Sequence, residues 1–159
     1  MIKFLCNSLI LILMVLITSC AHSEKTKTES LLEVVNIEIN VWLDLMPGVS
    51  PGKFHLTGEV TLKNISDEEI KDISLTKITV YSSYDVVYSF KPYFTNKMEG
   101  NNFNLEKGIT KVFRFGIVEG LKIDERIADN KMINIKLIFV SNKGSYSYSA
   151  DSIQVEEAY

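Results

Sequence analysis

Trp42, Asp44 and Met46 stand two residues apart, and His55 follows after a segment that holds Pro47-Gly48 and Pro51-Gly52. On an extended strand, residues two apart share a face. An indole, a carboxylate and a thioether would then line up, and a hairpin would lay an imidazole beside them. Two chemistries use such a set. A carboxylate that orients a histidine is half of a nucleophilic triad, but a triad also needs a serine held on a strained elbow, and no such motif accompanies His55. An aromatic ring and a methionine on an otherwise polar face are instead the ingredients of a contact surface. The set predicts binding through Trp42, Asp44, Met46 and His55 and assigns no catalytic residue. An envelope hydrolase centred on His55 is one alternative. A loop or sheet rim that covers Trp42, leaving it structural, is another.

The elements that must position these residues follow from periodicity. Val35, Ile37, Ile39, Val41, Leu43 and Leu45 occupy odd positions, with Asn36, Glu38, Asn40 and Asp44 between them. That alternation is a half-buried strand, and Trp42 falls on its polar side. Phe54, Leu56, Gly58, Val60 and Leu62 repeat the pattern on even positions, with His55, Thr57, Glu59, Thr61 and Lys63 outward. The two Pro-Gly pairs suit type II turns, which makes the strands a hairpin. Core must face core, so paired positions sum to an odd number. One such register sets Leu45 opposite Phe54, Asp44 opposite His55 and Trp42 opposite Thr57. A slip of two sets Trp42 opposite His55. Both gather the four residues into one patch.

The same period continues. Ile73 and Leu75 give way to Ile78 and Val80, a change of parity that predicts a bulge near Thr76-Lys77. Residues 81–85 read as a hairpin turn into Val86, Tyr88 and Phe90, which Pro92 ends or confines to an edge. Residues 95–102 are a polar loop. Ile109, Phe113, Phe115 and Ile117 alternate, as do Ile133, Ile135, Leu137 and Phe139; residues 118–131 have room for one helical turn. Asn142-Lys143-Gly144 turns the chain into Tyr146, Tyr148 and Ala150, and Ile153 and Val155 suggest a last short strand. Seven to nine short strands without a long amphipathic helix predict an all-β, two-sheet antiparallel β-sandwich over residues 31–159. The segment GEVTLKNISDEEI, residues 58–70, resembles the strand–Asn–turn of immunoglobulin-like domains in bacterial envelope proteins. The Cys…Trp…Cys spacing of true immunoglobulin domains is absent, so their disulfide and packing tryptophan are not implied here.

Residues 1–19 read as a secretory leader: Lys3, an apolar run from Phe4 to Ile17, then small residues. Ile17-Thr18-Ser19-Cys20 at its end resembles the lipobox of bacterial lipoproteins. That resemblance implies cleavage before Cys20, a lipid on its thiol, attachment to the membrane through that lipid and residence in the cell envelope. Two or more acyl chains anchor stably where one holds marginally. Ala21 lacks the aspartate of inner-membrane retention, which favours the outer membrane in a two-membrane organism. An uncleaved anchor is the alternative, although Asn7 and Ser8 interrupt the run. Residues 20–30 hold no large apolar side chain and read as a flexible tether.

Without Lys3 the 17 basic residues become 16 against 20 acidic ones, a net charge of −4. Such a domain offers no electrostatic footprint for nucleic acid. Cys6 leaves with the leader and Cys20 carries the lipid, so neither a disulfide nor a cysteine-based site is expected. Asp67, Glu68 and Glu69 lack the alternating ligands and glycine of a calcium loop, and no metal or cofactor is assigned. Asn64-Ile65-Ser66 matches the glycosylation sequon but reads as turn chemistry. The Tyr/Ser stretches at 81–84 and 145–149 have the composition of binding loops, and their tyrosines are equally suited to the core or a sheet edge, the reading preferred here. A non-enzymatic module that binds a protein or glycan in the envelope is the expectation. A periplasmic chaperone or inhibitor that offers a sheet edge to extended peptides is a further alternative.

The leader generates its own test. Fatty-acid labelling of the expressed chain should vanish in Cys20→Ala, leaving uncleaved precursor or released protein; label that persists would refute lipidation at Cys20.

Overall fold

The computed structural model describes residues 31–47, 52–95 and 103–159. The leader, Cys20, the tether, Gly48 to Pro51 and most of the 95–102 loop lie outside the described residues. Among the described residues the chain runs β1 (Leu32–Asp44), β2 (Lys53–Asn64), β3 (Ile70–Ser82), β4 (Asp85–Phe90), β5 (Tyr93–Thr95) and β6 (Phe103–Leu105). It continues with β7 (Thr110–Gly116), β8 (Leu121–Lys122), a single short helix α1 (Glu125–Asp129), β9 (Met132–Ser141), β10 (Gly144–Gln154) and β11 (Glu156–Ala158).

One sheet runs β11-β1-β2-β7-β5 with β8 also beside β2; the other runs β10-β9-β3-β4 with β6 also beside β3. In immunoglobulin lettering, β1, β2, β7 and β5 are A-B-E-D, while β10, β9, β3 and β4 are G-F-C-C′. The fold is an all-β, immunoglobulin-like sandwich of two sheets. Every pairing is antiparallel except β1 with β11. The eleven strands exceed the expected seven to nine because β6, β8 and β11 are pieces of two or three residues that pair with parts of longer strands.

The alternating residues meet between the sheets. Phe54, Leu56, Val60 and Leu62 of β2 and Phe113 and Phe115 of β7 are fully buried, facing Ile73, Ile78 and Val80 of β3 and Leu137 of β9. Gly58 sits where a Cβ would come within 2.5 Å of the Phe115 ring; the phenyl group occupies the space a side chain would need. Phe94, Phe103 and Phe113 cluster with centroids 5.0 to 5.3 Å apart.

Of the register shifts in the two sheets, one in β3 and one in β1 bear most on the expected facing. The one expected near Thr76-Lys77 appears as a register shift between Leu75 and Lys77. A second, between Val34 and Asn36, lies where the sequence reads as regular. It turns Val35 outward, 53% exposed, and leaves Leu32 buried. Val35 is therefore not on the core face, because an extra residue in one strand reverses the facing of everything before it. Ile109 precedes β7 and is largely exposed; its carbonyl accepts from Asn64 N–H. Ile153 belongs to β10, and Val155 is buried where the chain crosses to β11.

The expected helical turn is α1. Asp124 caps it by accepting from Arg126 N–H at 3.0 Å and from Arg126 Nε at 2.8 Å. The Arg126 hydrogen bond holds the Asp124 carboxyl down to about 2. Tyr88 ties this region to the core: its ring packs on Phe54, and its hydroxyl donates to Lys122 O at 2.6 Å and accepts from Asp124 N–H at 2.9 Å.

At the end where residue 31 enters, Asn64 is fully buried. Its amide nitrogen donates to Glu68 O at 2.7 Å and Leu105 O at 2.8 Å, and its amide oxygen accepts from Ser66 N–H at 2.8 Å and Ser66 Oγ at 2.7 Å. Both amide hydrogens are committed, so the sequon match is turn structure. Asp67 pairs with Lys107, Glu68 with Lys143 and Glu69 with Lys71 on the same turn.

Asn64→Ala would strand the Leu105 carbonyl and the Ser66 N–H, where each unsatisfied buried group costs roughly 1–3 kcal/mol; the exposed Glu68 carbonyl keeps its bond from Ser66 Oγ. Chemical denaturation should show a loss of at least about 2 kcal/mol. A change within the roughly ±0.5 kcal/mol of an ordinary surface substitution would show that the network is not load-sharing.

Candidate functional site

The β1–β2 hairpin takes the slipped register. Trp42 pairs with His55, Leu43 with Phe54 and Asp44 with Lys53. Val41 and Leu43 are each 2% exposed, which fixes the core side and leaves Trp42 on the outer face. There it is half-buried, covered by its neighbour rather than by the other sheet. The indole and imidazole stack at a centroid distance of 5.0 Å and an interplanar angle of 9°. Aromatic pairs of this kind contribute about 0.5–1.5 kcal/mol beyond their area.

The far side of the imidazole is covered too. The backbone at Gly120, between β7 and β8, lies so close that a Cβ there would come within 2.7 Å of His55 Cε1 and Nε2. His55 is thus held between Trp42 and a glycine that no bulkier residue could replace without displacing the ring. On the other flank of Trp42, β11 places Glu156 as its register partner. Across the sheet the order is Glu156, Trp42, His55, Gly120. Along β1, Asp44 accepts from Met46 N–H at 3.2 Å, which turns the chain and holds Met46 in solvent, 50% exposed.

The four expected residues therefore come together, but not as a carboxylate–histidine pair. Trp42 stands opposite His55, and Asp44 stands opposite Lys53 and bonds the turn. The arrangement presents an indole, the edge of an imidazole, a thioether and carboxylates on a rigid sheet face. That is contact chemistry. It lies well away from the end where the chain enters: at about 3.3 Å per residue, Trp42 is roughly 33 Å along β1 from Leu32.

A shallow depression of about 350 Å³ continues the face toward β7 and β5, lined by Glu38, Asn40, Thr57, Glu59, Tyr93 and Arg114. Arg114 Nε pairs with Glu59 Oε1 at 2.6 Å. Tyr93 lies over Gly116, where a Cβ would meet its ring and hydroxyl at 3.0 Å. Arg114 could have been read from the sequence, since it alternates with Phe113 and Phe115. Tyr93, Gly120 and Glu156 could not, because only tertiary pairing brings them here.

The Tyr/Ser stretches divide. Tyr84 is 98% exposed at the tip of the β3–β4 turn. Tyr146 and Tyr148 are half-buried on the inner side of β10, packed against the core.

No protein-family model matches this chain, and no curated protein sequence does. Among solved structures, the chain is similar to that of the Iho670 flagellar-like filament, at 11% identity over 96% of each chain with a TM-score of 0.37.

Trp42 is the chain's one tryptophan, so its fluorescence reports the stack directly. His55→Ala should raise and red-shift the emission by exposing the indole, and Gly120→Ala should disturb it by displacing the imidazole. Emission unchanged in both variants would mean that the rings are not stacked in solution.

Proposed function

We propose that this chain is a membrane-anchored lipoprotein of a bacterial cell envelope whose sandwich is a non-enzymatic binding module for a protein or glycan partner. The observation that carries the binding reading is the Trp42–His55 stack on the outer face of the first sheet. Large aromatic groups that are packed on one side and accessible on another give contact area at little cost in side-chain entropy. Met46, Asp44 and the depression beside Arg114 extend that surface with apolar and hydrogen-bonding groups. A glycan would use the same chemistry as a protein here, with its apolar ring face on the indole edge and its hydroxyls on the carboxylates and amide of Asp44, Glu38 and Asn40.

Anchoring belongs to the same reading. The lipid on Cys20 would be the attachment to the membrane, with the outer membrane favoured in an organism that has two. Residue 31 enters the sandwich at the end opposite the stack, so a tether there would hold the site toward the partner rather than toward the bilayer. Nucleic acid and cofactors play no part.

Cross-linking from intact cells through a photoreactive residue at Met46 should capture a defined partner. Trp42→Ala should weaken that capture by roughly 2 kcal/mol or more, about thirtyfold, while folding stability falls only by about the 0.5–1.5 kcal/mol of the lost stack and the domain stays folded. A large loss of stability with capture intact in the surviving folded fraction would make Trp42 structural and end this reading.

A further inference from the structure

The two sheets leave their sides to edge strands, and these differ. β5 and β11 are three residues each, and β4 is six residues followed closely by Pro92. The open edge of β1 is broken by the bulge at residues 34–36. β10 is eleven residues long and keeps unbroken register with β9 from Gly144 to Ala150, with neither lysine nor proline in that stretch. Lysine, proline, bulges and shortness are the usual means of blunting a strand edge. Residues 144–150 of β10 carry none of them, and among the described residues their outer edge pairs with no strand.

β10 and β1 lie on the same side of the sandwich, and the chain closes only part of that side. It crosses from β10 through buried Val155 to β11, which pairs with β1 at Trp42, Leu43 and Asp44. Toward the other end no strand among the described residues fills the seam. A crevice of about 290 Å³ runs there between Leu32, Val34 and Ile65 on one lip and Phe139, Tyr146 and Tyr148 on the other. Its lining is mostly apolar, although Glu33 and Ser147 border it, and the hydroxyl of Tyr146 is buried with no hydrogen-bond partner among the described residues. A buried hydroxyl left in that state costs free energy that a partner would recover.

From these features we propose that the seam is a strand-addition site. An extended polypeptide with apolar residues at alternate positions pairs its main chain with the edge of β10 along residues 146–150. It sets every second side chain into the crevice against Leu32 and Val34, and it offers Tyr146 a hydrogen-bonding group. Only another peptide backbone can match a row of strand N–H and C=O groups, and period-two alternation is what an inserted strand presents to one face. The chain's own β11 fills the adjoining part of this side as an added strand on the edge of β1. The site is independent of the surface around Trp42.

The test uses the full chain in detergent and a short capped peptide that alternates valine with threonine, beside the same peptide N-methylated at alternate residues. The unmodified peptide should bind saturably and slow amide exchange along residues 146–150, and methylation should weaken it at least about tenfold, because it removes the main-chain pairing. Tyr148→Lys, which aims a charge into the seam, should weaken it to a similar degree. Tyr146→Phe should leave the fold intact and weaken binding by about three- to tenfold, the effect of one hydrogen bond. Trp42→Ala should leave peptide affinity unchanged, which keeps this outcome apart from that of the outer face. The proposal is overturned if the peptide does not bind, if the methylated peptide binds equally, or if Trp42→Ala removes binding. It is also overturned if the chain sediments as a dimer that Tyr148→Lys dissociates, since a second copy would then hold the edge.

Discussion

The buried amide of Asn64 is the constraint on which the arrangement of the two sheets turns. β2 ends there in the first sheet and β3 begins six residues later in the second. The chain must reverse and change layers in that interval, and the turn's polar groups are taken out of water as it does so. Asn64 answers with all of its hydrogen-bonding capacity, two donations and two acceptances. One of these reaches Leu105, forty-one positions along the chain, so the amide also fixes where β6 stops and the approach to β7 begins. Residues 31–159 contain no cysteine. Where a true immunoglobulin domain joins its layers with a disulfide, this one joins the strand-changing turn to the neighbouring connection with a side-chain amide. Directional bonds suit that task, since apolar contact alone would let the turn slide against β6.

Sequence periodicity carried much of this architecture for a physical reason. A strand with one face on the core must alternate, and β2, β7 and β9 do so with almost every apolar residue where it was expected. The bulge at Thr76 declared itself as a change of parity between Leu75 and Ile78. The bulge at Val34 did not, because Leu31, Leu32, Val34 and Val35 are all apolar and either phase looks regular. Short pairings were also hidden. β8 and β11 contribute two and three residues, too few to show a period, and they exist because longer strands leave unpaired edge beside them.

The candidate surface was legible to the same extent. Parity alone put Trp42 opposite to Val41 and Leu43 in facing, and that holds in the folded chain. Parity could not choose between registers two apart, since both keep core against core, and the loop between the strands is long enough to permit either. The choice matters chemically. In one register a carboxylate faces the imidazole; in the register adopted an indole faces it, and Asp44 turns to the Met46 amide. Gly120 and Glu156, which complete the surroundings of the stack, come from 65 and 101 positions beyond His55 and join it only through the pairings of β8 and β11.

Polarity is distributed along the sandwich in a way that bears on both surfaces. The end where residue 31 enters is pinned by Asn64 and by lysine–carboxylate pairs on its turn, and the opposite end is pinned by Tyr88 and the cap of α1. In variable immunoglobulin domains the B–C and F–G loops form the binding end; here the corresponding segments are residues 65–69 and the Asn142-Lys143 turn, and they stand beside the point of entry. Under the proposed tethering that end lies nearest the anchor, and the two proposed surfaces stand on a sheet face and along a side. The β1 bulge then has a consequence for the side. By reversing the facing of the residues before it, it turns Val34 toward the seam and Val35 to solvent, so the first residues of β1 line a crevice with β10 instead of continuing the outer face that bears Trp42. A single extra residue in β1 thereby separates the two surfaces, giving one to the face of the first sheet and the other to the gap between the sheets.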